Sequence, residues 1–308
     1  MSRSSVLTPA PPATGPARVR NMDPWLRGFG LASLVANVGI VVTGGAVRLT
    51  KSGLGCPTWP RCTDESYTTT PEMGVHGVIE FGNRLLTFVV IAIAIAALIA
   101  AWLERPRRRR LVTLGLVTLL GIPLQGVIGG ITVLTDLNPW VVGLHFMGSI
   151  FVITTAYLFW RRVVDTPVTT TPPRPLRQLA WITTLTGLAV VVAGVIVTGS
   201  GPHSGDGGAK RNHLDPETVS QIHADLVFLL IGLSVALYFA AKIAGAPTRP
   251  AIILIAVELS QSVIGFVQYF THLPVLLVGA HMLGACLVWI ATLHALHATR
   301  RPEPTVPA

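Results

Sequence analysis

Three histidines in this chain lie where histidine is expensive. His145, His223 and His281 each sit a turn or two inside a long apolar run. An ionisable group within hydrocarbon is costly and by default marks a site. Two of the three belong to an internal repeat. Gln125-Gly-Val-Ile-Gly129 is followed by Gly143-Leu-His145-Phe-Met-Gly148, and Gln261-Ser-Val-Ile-Gly265 by Gly279-Ala-His281-Met-Leu-Gly284. The offset is 136 residues throughout, and it also lays Thr135 on Thr271 and Leu137 on Leu273. His223 enters on another helix of the second repeat at the same level, so His223 and His281 can face one another. Two opposed imidazoles in an apolar bundle are what a haem needs: two axial nitrogens and a greasy slot. Taken singly, each could instead be a neutral histidine hydrogen-bonded across helices; the shared register favours the slot. The repeated glycines would let a flat ring approach the backbone, although glycine also serves ordinary helix contacts in membranes.

The first repeat departs from the second. Asn83, in Ile79-Glu-Phe-Gly-Asn-Arg84, stands where the second repeat has His223. Asparagine is a poor iron ligand, so a haem there would be held by His145 alone or take water as its sixth ligand. Glu80 shares a helical face with Asn83 and is placed to carry protons at the outer edge of the membrane. It can equally pair with Arg84 one turn on, and the two readings are compatible. Arg48, Arg84 and Arg211, near the outer end, are candidate partners for haem propionates or plain loop arginines. Cys56 and Cys62 lie together in Gly53-Leu-Gly-Cys-Pro-Thr-Trp-Pro-Arg-Cys62. They read as a staple holding the loop or as a redox-active pair; two cysteines with no matching histidine pair do not make a zinc site. Cys286 reads as a small buried apolar residue. His76, His203, His213 and His272 fall in outer loops or at their edges and read as solvated. His294 and His297 read as snorkelling residues at the inner end of the last helix, and Glu258 has no counterpart that assigns it a task.

The elements that must position these residues follow from composition. The chain is 51% hydrophobic and 12% charged, with mean hydropathy +0.61, against about 25% charge in soluble domains. That excludes a soluble domain, a disordered chain and a coiled coil. Eight stretches reach the roughly 20 apolar residues a span needs: 26–48, 79–102, 111–134, 139–160, 177–199, 219–241, 249–271 and 273–298. The expected fold is therefore an all-α integral membrane protein, eight transmembrane helices in two pseudo-symmetric four-helix bundles, 25–162 and 177–299. A linker, 163–176, joins them, and Pro-rich tails at 1–24 and 300–308 read as disordered. The first run reads as an anchor, not a cleaved signal. Most of the 23 Lys and Arg, including Arg107 to Arg110, Arg161 and Arg162, fall on one side of the spans. The positive-inside rule then puts both termini and the linker in the cytoplasm. The net charge of +9 is thereby explained by topology, with no nucleic-acid role. Both units start inside, so they are parallel repeats and not the inverted kind.

These residues resemble the haem A synthase family over all eight spans. The resemblance rests on the Thr50-Lys-Ser-Gly-Leu-Gly-Cys-Pro-Thr-Trp-Pro-Arg-Cys62 loop, on Glu80-Phe-Gly-Asn-Arg84, and on His145, His223 and His281. It implies an enzyme that oxidises the C8 methyl of haem O to a formyl through hydroxylated intermediates, giving haem A for cytochrome oxidase. It implies a haem b cofactor in the second unit with His223 and His281 as iron ligands. Haem O would occupy the first unit as substrate, with His145, Asn83 and Arg84 around it. Glu80 matches the family's essential acid, and Cys56 and Cys62 its outer-loop cysteine pair, a disulfide. Asn83 stands where many members carry a second histidine, which would leave the substrate iron an open position. The implied setting is the plasma membrane of a prokaryote, among membrane lipid, with a haem O synthase, cytochrome oxidase assembly factors and a second copy of the chain as partners. The competing readings are a bis-haem electron-transfer cytochrome without substrate chemistry, and a transporter or structural bundle that binds no haem. The first of these gives Glu80 no task.

Overall fold

The computed structural model describes residues 24–104, 108–164 and 172–299. The tails, the middle of the linker, and Arg105 and Arg107 lie outside the described residues. Eight helices run in order: α1 Pro24–Leu49, α2 Gly74–Leu103, α3 Arg109–Leu134, α4 Pro139–Val164, α5 Arg174–Ser200, α6 Pro216–Ile243, α7 Arg249–Phe270 and α8 Val275–Ala298. They hold 22 to 30 residues, about 33–45 Å at 1.5 Å per residue, enough to cross a hydrocarbon core of about 30 Å. All eight are long and apolar enough to span, and the chain is a multi-pass integral membrane protein.

Helices α2, α5 and α6 each start three or more residues before their apolar runs. Helix α2 extends back to Gly74, because the Gly74-Val-His-Gly77 segment continues the helix beyond the apolar run. A turn of 3-10 helix, Pro71–Met73, leads into it. The sixth begins at Pro216, where Pro at the first helical position leaves no donor unused. Asp215 caps it, accepting from the Thr218 amide at 2.7 Å and the Thr218 hydroxyl at 2.6 Å. Those bonds hold the Asp215 carboxyl below the usual carboxylate range.

Each unit closes on itself. Helix α1 packs on α2 and α4, α2 on α3, and α3 on α4; helices α5 to α8 repeat the ring. The units meet through α1 on α8, α4 on α5 and α4 on α8. Between them lies a core of Leu34, Val41, Ile150, Ile153, Tyr157, Val191, Cys286, Trp289 and Leu293. Trp289 Nε1 donates to Thr154 Oγ1 at 2.8 Å, so the one polar atom of the indole is satisfied inside the seam. Cys286 is the buried free thiol expected of it. His294 does not only snorkel: its Nδ1 lies 3.4 Å from the Tyr157 hydroxyl across the seam. Large apolar side chains on α2, α3, α6 and α7, such as Phe88, Leu120, Phe228 and Val263, point outward. In water such faces would aggregate; in lipid they are the expected surface.

The repeat is visible in backbone detail. Asp136 and Leu137 after α3, and His272 and Leu273 after α7, all adopt positive φ between 51° and 62°. Non-glycine residues rarely do so, and here the same two-residue reversal serves both units. The Leu137 amide donates to the Thr132 carbonyl at 2.8 Å, and the Leu273 amide to the Gln268 carbonyl at 2.7 Å.

Candidate functional site

In the second unit the ring centres of His223 and His281 are 6.4 Å apart, with their planes at 71°. Two imidazoles sharing one metal at about 2 Å per bond would place their ring centres roughly 6 Å apart. The pair therefore has a spacing at which two imidazoles could share one metal. His223 Nδ1 donates to the Val190 carbonyl at 3.1 Å, which leaves Nε2 as the nitrogen with a lone pair to offer. Among the described residues no group of three or more His, Cys, Asp or Glu side chains could hold a bare metal ion. A two-histidine donor set suits instead a metal that brings its own equatorial ligands. Depth agrees as well: His223 lies seven residues inside α6, and His281 six inside α8, about 9–11 Å along the helix axis in both cases.

In the first unit His145 is six residues inside α4, the same depth as His281. A methyl group added at Gly129 would stand 3.3 Å from its Cε1, as one at Gly265 would stand 3.2 Å from that of His281. Asn83 occupies the place of His223 in a shorter form. It lies along α1 beside Gly44, as His223 lies along α5 beside Gly194. The Thr43 hydroxyl donates to Asn83 Oδ1 at 2.7 Å, a partner that nothing in an apolar run announces.

Glu80 is buried and tied at both oxygens. The Cys56 amide donates to Oε2 at 2.6 Å, and Arg84 to Oε1 at 2.6 Å. Arg84 also donates to the carbonyls of Cys56 and Thr58 at 3.1 Å and of Arg61 at 3.2 Å. A carboxylate–guanidinium pair on α2 thus grips the loop that precedes it. Cys56 and Cys62 are joined by a disulfide and are fully buried. The Trp59 indole lies flat against α3 at Gly130, where any side chain would overlap it. The loop therefore caps the first unit, and Glu80 sits at the joint between cap and bundle.

The other arginines hold backbone too. Arg48 donates to the carbonyls of His203 and, at 2.7 Å, Thr198; Arg211 donates to the Pro202 carbonyl at 2.6 Å. Two of the histidines read as solvated make further contacts: His76, which falls in the first turn of α2, and His203. His76 Nδ1 lies 2.9 Å from the buried Ser52 hydroxyl, and His203 Nε2 donates to the Leu273 carbonyl at 2.9 Å. His213 and His272 are exposed. Glu258 is 3% exposed; its Oε1 accepts from the Ser234 hydroxyl at 2.8 Å, and Oε2 finds no partner among the described residues. Sequence reasoning had no signal for that pairing, which joins α6 and α7 through a register visible only in the fold.

The family described as cytochrome oxidase assembly protein matches residues 27–203, more than half of the chain and nearly all of helices α1 to α5. Among curated proteins, the chain is 29% identical over 134 residues to the heme A synthase of Halalkalibacterium halodurans, covering 43% of this chain and 44% of that one. It is 31% identical over 134 residues to the heme A synthase of Symbiobacterium thermophilum, covering 43% of each. It is 30% identical over 118 residues to that of Alkalihalophilus pseudofirmus, covering 37% and 39%. The chain thus spans less than half the length of the curated relatives it matches. The family match ends before His223 and His281, so the second pocket stands on its own geometry and on the repeat.

Proposed function

Because the chain belongs to the cytochrome oxidase assembly protein family, we propose that it is a haem A synthase, oxidising the C8 methyl of haem O to a formyl group through hydroxylated intermediates. The observation that carries this is the asymmetry of two homologous pockets. One holds an opposed histidine pair at 6.4 Å; the other has His145 at the depth of His281, Asn83 at the place of His223, and the buried acid Glu80 under the capping loop. A plain electron-transfer cytochrome calls for two alike pockets and leaves Glu80 idle.

His223 and His281 would hold haem b, which supplies one-electron redox chemistry when bound. The remaining chemistry belongs to this chain's own side chains. His145 fixes the substrate's position in the first unit, and Asn83, held by Thr43, leaves room on the opposite face. A proton on Glu80 would neutralise the charge that pairs with Arg84, so proton uptake there and the grip on the cap are coupled. The cap keeps water from the substrate's reacting edge. The pockets adjoin through Met282, next to His281, which packs on α1 at Gly45, one residue from the Gly44 beside Asn83. Both termini facing the cytoplasm, a prokaryotic plasma membrane, and division into units 25–162 and 177–299 complete the reading.

The test is co-expression with a haem O-producing enzyme, followed by pigment extraction. Haem A in the extract, dependent on this chain, is the expected result. Haem O alone, with the protein folded and its second pocket filled, would overturn the assignment.

A further inference from the structure

The duplicated glutamines and glycines that frame His145 and His281 have no task in the reaction itself. Gln261 and Gly265 lie one turn apart on the same face of α7, and His281 and Gly284 nearly so on α8. The helices run antiparallel, so Gln261 meets Gly284 while Gly265 meets His281. A methyl group at Gly284 would fall inside the Gln261 side chain, and one at Gly148 inside Gln125. Each glutamine therefore fills a notch that only glycine leaves. Seated there, Gln261 Nε2 donates to the His281 carbonyl at 2.7 Å, adding a bond beyond the helix's own.

The imidazoles need such support. A ligating histidine normally has its second nitrogen bonded to a carbonyl or carboxylate, which fixes the ring. His223 has this through Val190. The Nδ1 atoms of His281 and His145 are buried with no partner among the described residues. Their rings are instead flanked by Gly265 and Gly129, at 3.2 and 3.3 Å from where a methyl group would stand. Both His281 and His145 thus lack the usual hydrogen bond and carry the glutamine notch. The first unit uses a variant: the one proton of the Ser149 hydroxyl is shared between two acceptors, the His145 carbonyl at 3.1 Å and Gln125 Oε1 at 3.2 Å.

We infer that Gln261 in the Gly284 notch, and Gln125 in the Gly148 notch, are positioning residues that set the height and tilt of the His281 and His145 imidazoles for haem ligation. The inference rests on the proposed haem binding and deepens it.

The test uses the full chain purified with haem in its second unit, read by haem content and by the electron paramagnetic resonance of the ferric low-spin centre, whose g-values report the angle between axial ring planes. Gln261→Leu is expected to keep the fold and most of the haem while shifting the g-values. Gly284→Ala forces Gln261 out of the notch by overlap and displaces His281 with it, and is expected to weaken haem retention by roughly tenfold, the scale of an overpacking strain. The pair Gly284→Ala with Gln261→Ala removes the overlap, so haem content recovers but the wild-type g-values do not. Gly232→Ala, on α6 with nothing within 4 Å, is the control and leaves both unchanged. Wild-type g-values in Gln261→Leu, or in the double variant, would overturn the positioning role while leaving haem binding intact. Wild-type protein without a low-spin centre would overturn the haem assignment itself and the inference with it.

Discussion

Replacing Arg84 with methionine tests the joint between the cap and the bundle. The side chain donates to Cys56, Thr58 and Arg61 carbonyls and to Glu80. The ion pair is largely enclosed, with 7% of the Glu80 side chain and 21% of the Arg84 side chain exposed. Removing one member of a buried pair costs about 3–5 kcal/mol, because the other is left uncompensated. Partial solvent access to Arg84 argues for the lower end, about 3 kcal/mol. At about 1.4 kcal/mol per decade, Arg84→Met should make opening of the 50–70 loop roughly a hundredfold more frequent. Hydrogen exchange of loop amides in the detergent-solubilised protein measures that opening directly. The double variant Glu80→Gln with Arg84→Met no longer strands a charge and keeps an acceptor for the Cys56 amide, so it should recover part of the protection. Exchange in Arg84→Met within about twofold of wild type, or a double variant worse than the single one, would refute the clamp.

Three further outcomes are expected. His223→Ala or His281→Ala removes the haem b absorption spectrum, whereas His145→Ala leaves it; full haem content after either of the first two changes would remove the axial assignment. In Glu80→Gln the haem stays but haem A production stops or stalls at the alcohol, as read from extracted pigments; unchanged product would show that Glu80 is not the acid. Ser234→Ala strands the buried Glu258 carboxyl and lowers thermal stability by about 1–3 kcal/mol, while Ser234→Ala with Glu258→Met, which removes both polar groups, recovers most of it.

The eight spans were legible because length and hydropathy alone decide them, and the second pocket because a constant offset carried His281 into register with His145. Helix ends were less legible. The start of α2 at Gly74 lies outside the apolar run that defines its span, and Asp215-Pro216 is a start signal overshadowed by hydropathy. The cross-helix partners were not legible at all. Thr43 on Asn83 and Ser234 on Glu258 each join residues on different helices, and nothing in either segment marks the pairing. Glu80 was found as an acid on the right face, and its pairing with Arg84 was foreseen from spacing. Its hold on the Cys56 amide was not, because that bond depends on how a loop folds back across α2. The two tails, with Arg105 and Arg107, carry part of the charge asymmetry behind the orientation and lie outside the described residues.

The contacts between the units have the form of a two-fold homodimer written as one polypeptide. The first helix of one half meets the last of the other, α1 on α8 and α5 on α4, and the last helices meet each other, the reciprocal arrangement of an isologous interface. In a dimer of identical subunits every substitution appears twice, so both cavities must change together. Fusion of the halves lifts that constraint. One copy can exchange an imidazole for an amide while its twin keeps it, and a scaffold of equal parts becomes a machine with two different ends.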